Sequence, residues 1–434
     1  MYVAVIGLGF VGLTLSLALA EKGVRVAGIE IKEESCKKLS QGIPTFNESG
    51  IDRYLERNLG KNFEVFSKLE DLVDKPEYYV LCVATPIKNG SLNMEHLIRA
   101  TRSIGKVMTG DEVVIVRSTC PVGTTRQNVL PTLEKELSDR NIEKNVKISF
   151  APERTAEGVA LKELNELPQI IGGVNGECSF LTSKLFRNLT PTIIQVSSLE
   201  TAEMIKLIDN SFRDVRFAYA NEIMLLCEKM GVDTHECIKN SNIHYGRNSI
   251  PLPSPGVGGP CLSKDPYLLI GQEDILELHP EQKSLIMAGR KINEAIPIII
   301  AEKIKKIITK KDSKIFVMGF AFKGEPETDD MRNSSTLDLV NSLVSEHDVY
   351  GHDPVVSSEA IRELNVTPVN IEEGFKDANC VIIMNNHMSY RKLDILKLLK
   401  SSSKPCIFID TWRLFDRKIF EKNESVIYSG IGIV

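Results

Sequence analysis

Short runs apolar on both faces recur along the first part of the chain: VAVIG (3–7), RVAGIE (25–30), YYVLCVAT (78–85), VVIVRST (113–119), VKISFAPE (146–153) and QIIGG (169–173). Helical stretches separate them. Alternation of buried strands with helices predicts a parallel, doubly wound α/β sheet covered on both faces. The pattern stops near residue 198.

From Leu199 to Gly231 the apolar period becomes helical, without a proline and with glycine only at the close. A helix this long, apolar over most of its circumference, is expected to be buried between bodies, to join domains and to pair with its copy in a second subunit. The loop IHYGRNSIPLPSPGVGGPC follows, dense in proline and glycine, and then a second helical region at about 281–310. Strand-like runs return in KIFVMGFAF (314–322), HDVYGHDP (347–354), CVIIMNN (380–386), PCIFID (405–410) and SVIYSG (425–430). The expected fold class is therefore α/β, with two Rossmann-like doubly wound domains joined by a long central helix and a helical connector. The expected domains are 1–198, 199–311 and 312–434.

The 434-residue length suits two or three domains. With 53 basic and 58 acidic side chains the formal charge is only −5, which favours neither nucleic acid nor an anionic membrane as partner. Nine scattered cysteines (36, 82, 120, 178, 227, 237, 261, 380 and 406) form no CxxC pair and accompany no histidine cluster. A reducing, cytoplasmic setting and no metal site are expected. The uncharged opening MYVAVIGLGFVGLTLSLALA lacks a basic flank, is interrupted by glycines and continues into a turn and strand. It reads as the start of a domain rather than a signal or a membrane span.

VAVIGLGFVG places Gly7, Gly9 and Gly12 in a GxGxxG between a strand and a helix, with Phe10 and Val11 inside the motif. The first glycine permits a tight turn, the second a close approach to pyrophosphate and the third close helix–strand packing. Glu30 ends the next strand, where a carboxylate accepts hydrogen bonds from both ribose hydroxyls of NAD and repels the extra phosphate of NADP. Lys32, close by, works against that preference. Ligands of open α/β sheets lie beyond the carboxyl ends of the strands, so Thr85 and Pro86 in VATP, and Ser118 and Thr119 in RSTCPVGTT, border the same cofactor. Cys120 reads either as a residue near the chemistry or, the favoured alternative, as a small buried hydrophobe.

Lys206 and Asn210 stand four apart on the long helix and so share a face. Burying an ammonium and an amide is costly unless something anionic meets them, and a developing oxyanion would do so. The competing reading is a solvated stripe with Asp209 paired to Arg213. In APERTAEG, Glu153 and Glu157 alone read as exposed helix residues. Cys261 sits in SPGVGGPCLSKDPYLL, a glycine-lined loop that leaves room for substrate. Lys264 can favour its thiolate, and Asp265 can hold a water or a lysine. A thiol beside NAD suggests oxidation of an alcohol to an aldehyde, capture as a thiohemiacetal, oxidation to a thioester, and release of an acid by water.

Taken together, GLGFVG, VATP, STCPVGTT, PERTAEG, the Lys206/Asn210 helix, GVGGPCLSKDP and GFAFKGEPETDDMR (319–332) resemble the UDP-glucose/GDP-mannose dehydrogenase family over nearly the whole length. The resemblance implies a four-electron oxidation of a UDP-sugar C6 hydroxymethyl to a uronic acid with two NAD, for surface polysaccharide, in a homodimer or higher homo-oligomer. It implies Cys261 as nucleophile, Lys206 and Asn210 as oxyanion stabilisers, Asp265 in proton or water handling, and Thr119, Glu153 and Glu157 around the reacting carbon and its water. Arg154, Arg247, Gly258, Lys323 and Arg413 match substrate positions, Arg247 reaching into a neighbouring subunit; Lys264 and Arg332 match cofactor positions.

The loop GGPCLSKDPY combines the lysine of the glucose enzymes' GGSCFPKD with the Asp-Pro of the N-acetylhexosamine branch. NSFRDVRFAYANE (210–222) and PGVGG lean to the acetylated branch, with a UDP-glucose 6-dehydrogenase as the alternative. The AFKGEPETDDMR segment is about two residues longer than the common form. A single-step β-hydroxyacid dehydrogenase lacks the second α/β domain and the cysteine loop. A non-catalytic NAD or nucleotide-sugar sensor would not need a lysine, an amide, a thiol and an acid together.

Overall fold

Alternate residues of the first strand, β1 (Tyr2–Ile6), bury Val3 and Val5 against one apolar layer and Ala4 and Ile6 against another. This is the two-faced burial that its uninterrupted apolar run requires. The computed structural model describes residues 1–88, 91–270, 284–421 and 423–432, which fall into two compact units, Met1–Asp209 and Asn210–Val434.

In the first unit β1 is joined by β2 (Arg25–Ile29), β3 (Phe63–Phe66) and β4 (Tyr78–Leu81); β5 (Ile87–Lys88) and β6 (Ser91–Leu92) form a separate antiparallel hairpin. The sheet continues with β7 (Val113–Val116), β8 (Lys147–Phe150), β9 (Gln169–Gly173) and β10 (Ile193–Val196), in the order β3-β2-β1-β4-β7-β8-β9-β10. Helices α1 (Phe10–Glu21), α2 (Glu33–Ser40), α3 (Ile51–Asn58), α4 (Glu95–Val107), α5 (Leu130–Ser138), α6 (Ala160–Glu166) and α7 (Gly176–Phe186) connect the strands. Two features depart from the sequence expectation. The β8–β9 pairing is antiparallel, joined by two residue pairs, Ser149 opposite Gly173 and Phe150 opposite Gly172. Strand direction is set by the route of the connection, which an apolar run does not encode. The edge strands β3 and β10 lack a fully apolar run because part of each stays exposed.

Helix α8 (Leu199–Met230) has nearly the expected bounds and runs without a break through the division between the units. Its circumference is not wholly covered. Ile208, Phe212, Tyr219, Leu226 and Met230 are exposed, and at 100° per residue all five fall on one stripe.

The second unit continues with α9 (Thr234–Asn242), α10 (Asp265–Ile270) and α11 (Leu285–Ile307); the expected helix start near residue 281 lies outside the described residues. Its sheet contains β11 (Lys314–Met318), β12 (Asp348–His352), β13 (Thr367–Pro368), β14 (Cys380–Ile383), β15 (Cys406–Asp410) and β16 (Val426–Gly430). These are all parallel, in the order β13-β12-β11-β14-β15-β16. Strand β11 repeats the pattern of β1, with Ile315 and Val317 in one core and Phe316 and Met318 in the other.

Candidate active site

In the first unit, the turn after β1 is shaped by its glycines. Gly7 has φ +91°, and a Cβ on Gly12 would stand 1.8 Å from the Gly7 carbonyl oxygen, so the start of α1 can lie against the strand end only as glycine. A Cβ on Gly9 would meet nothing within 4 Å, and no side chain caps α1. The helix N-terminus therefore presents open backbone at Gly9, beside the half-buried Phe10 and Val11. Glu30 is held by two main-chain donors, the Leu8 N–H at 3.0 Å and the Lys32 N–H at 2.9 Å, which bring its carboxylate to the glycine turn; Lys32 itself is exposed. An open helix N-terminus for a pyrophosphate, next to an anchored carboxylate for a ribose, fits NAD.

The ends of β4 and β7 are tied together beside this turn. Thr85 Oγ1 donates to the Thr119 carbonyl at 2.5 Å, and Ser118 Oγ to the Val83 carbonyl at 2.7 Å; Pro86 is exposed. Cys120 is buried as expected, its Sγ 3.7 Å from Glu203 Oε1. Glu203 of α8 also accepts the Gly123 N–H at 2.6 Å and the Thr125 N–H at 2.8 Å, fastening the segment after Thr119.

Glu153 is not an exposed helix residue. It is buried in a loop after β8, with Oε2 2.5 Å from Arg117 Nη2 and Oε1 accepting the N–H groups of Arg154 and Thr155. Burial opposes its charge, but Arg117, the Thr155 N–H and Lys206 outweigh that and hold its carboxyl below the usual range. Lys206 is itself buried, which removes the solvated-stripe reading, and Asp209 pairs with Arg154 at 3.3 Å rather than with Arg213. Arg154 also donates to the Pro168 carbonyl at 2.8 Å. Glu157 lies half-buried in a turn, not a helix, that Glu48 pins by accepting the N–H groups of Gly158 and Ala160.

In the second unit, Asn210 and Asp265 are 5% and 1% exposed and meet directly, Asn210 Nδ2 donating to Asp265 Oδ2 at 2.5 Å. Asp265 begins α10, and its N–H donates to the carbonyl of Cys261 at 2.9 Å, so an exposed thiol is one turn from a buried amide–carboxylate pair. Lys264 Nζ lies 3.8 Å from Asp265 Oδ1. The glycines around the thiol serve close packing as much as open space. A Cβ on Gly258 would stand 2.3 Å from the Asn333 carbonyl oxygen, and one on Gly259 (φ +91°) 2.7 Å from the Phe322 ring. The Gly259 N–H donates to the Asn333 carbonyl at 3.2 Å, and Asn333 Nδ2 to Ser263 Oγ at 2.8 Å. The cysteine loop thus rests on the segment that carries Lys323 and Arg332.

Other candidates engage neighbours of their own. Arg332 folds onto Asp330, Arg413 forks onto Asp233 with two 2.8 Å bonds, Lys323 stands over the Phe322 ring and Arg247, exposed, over Tyr245. Among the described residues no His/Cys/Asp/Glu group is arranged to hold a metal ion. Residues that sequence reasoning missed are Arg117, Glu203, Glu48 and the buried Asp214–Arg290 pair behind the cysteine loop. Arg117 lies inside RSTCPVGTT, but neither its burial nor its partner has a local signal.

Three family models match the chain: the UDP-glucose/GDP-mannose dehydrogenase NAD binding domain over residues 1–190, the central domain over 200–295 and the UDP binding domain over 316–417. A relative from Pyrococcus horikoshii, named UDP-N-acetyl-D-mannosamine dehydrogenase, is 34% identical over 440 residues, covering 100% of this chain and 99% of that protein. A solved structure of UDP-D-ManNAc dehydrogenase from the same organism superposes with TM-score 0.87 at 33% identity, covering 100% and 99% of the two chains. The UDP-N-acetyl-mannosamine dehydrogenase of Staphylococcus aureus superposes with TM-score 0.82 at 27% identity, covering 100% and 98%.

Proposed function

Because the chain belongs to the UDP-glucose/GDP-mannose dehydrogenase family and is an NAD-dependent UDP-sugar dehydrogenase, we propose that it oxidises the C6 hydroxymethyl of UDP-N-acetylmannosamine to the carboxylate, through a thioester on Cys261. The acetylated sugar is favoured by the names of the similar proteins and by the Asp265-Pro266 pair after the cysteine turn. Making a uronic acid in this way suits a cytoplasmic supply of precursor for surface polysaccharide. Among the described residues no helix is long and apolar enough to cross a membrane.

The observation that carries the reading is the exposed Cys261 thiol set one turn from the buried Asn210–Asp265 pair. NAD, held at the glycine turn and Glu30, would supply the hydride acceptor for each two-electron step, two for alcohol to acid. The chain's own groups do the rest. Cys261 adds to the aldehyde carbon and holds it as a thiohemiacetal and then a thioester; attack by water returns the thiolate and releases the acid. Lys206 and Asn210 stabilise the oxygen that gains charge in each addition. Asp265 handles protons at the thiol, and Glu153, Glu157 and Thr119 serve the water that releases the acid. Gly7, Gly9, Phe10, Val11, Gly12, Glu30, Thr85, Pro86, Ser118, Lys264 and Arg332 serve the cofactor. Arg154, Arg247, Gly258, Lys323 and Arg413 serve the nucleotide sugar. The exposed stripe of α8 pairs with its copy in a homodimer.

The test is stoichiometry. Purified protein with excess NAD and limiting UDP-N-acetylmannosamine should release two NADH per acid formed, and Cys261→Ser should form no acid. One NADH per sugar consumed, or acid from the serine variant, overturns the thioester route.

A further inference from the structure

We infer that Arg290 and Asp214 are positioning residues that hold the Cys261 loop in register for the second oxidation. This rests on the reading of Cys261 as the nucleophile. Arg290 of α11 and Asp214 of α8 are 1% and 0% exposed, and Arg290 Nη1 stands 2.8 Å from Asp214 Oδ1. The pair is not isolated. Arg290 Nη2 donates to the Val257 carbonyl at 2.8 Å and Nη1 to the Leu262 carbonyl at 3.1 Å, two oxygens that bracket Cys261 in the chain. Its Nε lies 3.4 Å from Glu294 Oε1.

The same carboxylate oxygen takes a second donor. Asn293 Nδ2 donates to both the main-chain oxygen and Oδ1 of Asp214 at 2.9 Å, and Asn221 Nδ2 donates to Asn293 Oδ1 at 2.9 Å. Asn221 Oδ1 in turn accepts the Ser254 N–H at 2.9 Å, at the entry to the same loop. Three main-chain groups, at 254, 257 and 262, are therefore tied to one buried network on α8 and α11. These bonds fall on loop backbone, which no helix or strand ladder holds, and buried carbonyls need donors. A planar guanidinium reaches two carbonyls and a carboxylate at once; a lysine ammonium on a flexible stem does not reproduce that fork. Since α8 also carries Asn210, the network joins the thiol's backbone to the helix that bears the oxyanion donor.

The experiment uses full-length R290K and R290Q alongside C261S, with UDP-N-acetylmannosamine and UDP-glucose as substrates. It reads the NADH-to-acid ratio, the aldehyde trapped by hydroxylamine, the iodoacetamide alkylation rate of Cys261 by peptide mass, and NAD affinity. For R290K and R290Q we expect kcat to fall on the order of 10- to 100-fold, with KM for the UDP-sugar and NAD affinity within about threefold. Trapped aldehyde should appear, the NADH-to-acid ratio should rise above two, and alkylation of Cys261 should change. Lysine should not rescue, although it keeps the charge. Rescue by lysine, or an unchanged ratio and alkylation rate in both variants, overturns the inference. If neither variant folds, D214N, which is neutral and so lacks the charge that orients the Arg290 fork, is measured in the same way; an unchanged ratio and alkylation rate then overturns it. Failure of the underlying reading looks different, as acid formed by C261S or no acid formed by the native enzyme.

Discussion

Asn210 and Asp265, 55 positions apart in the chain, share a buried 2.5 Å hydrogen bond between amide and carboxylate. The donor fixes one carboxylate oxygen, and Asp265 is locked to the cysteine turn through its own N–H. Asp265→Asn preserves the size and removes the negative charge. Its kcat should fall on the order of 100-fold or more with KM for the UDP-sugar nearly unchanged, as expected for lost proton handling. Steady-state NADH formation measures it, and an unaltered kcat removes Asp265 from proton transfer.

The Arg117–Glu153 pair carries a stability prediction. Arg117→Met leaves a buried carboxylate without its cation and should cost about 3–5 kcal/mol in urea unfolding of the first unit. Adding Glu153→Gln should recover part of that loss, because the stranded charge is gone. With the Glu153→Gln single variant closing the cycle, losses that simply add in the double variant would show that the pair is not coupled.

Glu30 tests the cofactor assignment. Glu30→Ala removes the carboxylate that the Leu8 and Lys32 N–H groups hold at the glycine turn. NAD should bind on the order of 10-fold more weakly and discrimination against NADP should narrow, both read by fluorescence titration. Unchanged affinity for both would place the ribose elsewhere.

Asp353 in the second unit sets an acid limit. Burial opposes its charge, yet His387 and the N–H groups of Phe320 and Val355 hold its carboxyl down at about 2. A folded value below the unfolded one contributes stability that is present above about pH 4 and lost as pH falls toward 2. His387, raised by Asp353 and Glu327 against the effect of burial, acts in the other direction: its contribution is present below its unfolded value and lost as pH rises through the folded one. The stability gap between native protein and Asp353→Asn should therefore narrow by about 2 kcal/mol between pH 5 and pH 2. Denaturant unfolding at the two pH values checks it, and a constant gap contradicts it.

The stripe of α8 predicts assembly. Phe212→Glu with Tyr219→Glu places two charges on its exposed apolar face and should convert a dimer to a monomer in light scattering. A dimer that survives both changes lies on another surface.

Much of this was legible in the chain itself. Apolar runs located the central strands because a strand buried on both faces is apolar at nearly every position, and they missed β3 and β10 because an edge strand need not be. The GxGxxG, the helix from Leu199 and the cysteine loop are local patterns, each written within a few dozen consecutive residues. Whether Glu153 is exposed or buried was not legible, since its cation, Arg117, lies 36 positions earlier.

Local order alone therefore determined the central strands and the long helix, the glycine turn between β1 and α1, and which residue types are available for chemistry. Tertiary structure decided the direction of β9, the burial of Glu153 and Lys206, the pairing of Asn210 with Asp265, and the clamp of Asp214 and Arg290 on the cysteine loop. The reason is physical: periodicity and turn chemistry act between neighbours in sequence, whereas desolvation and ion pairing depend on which distant groups the fold brings within a few ångströms.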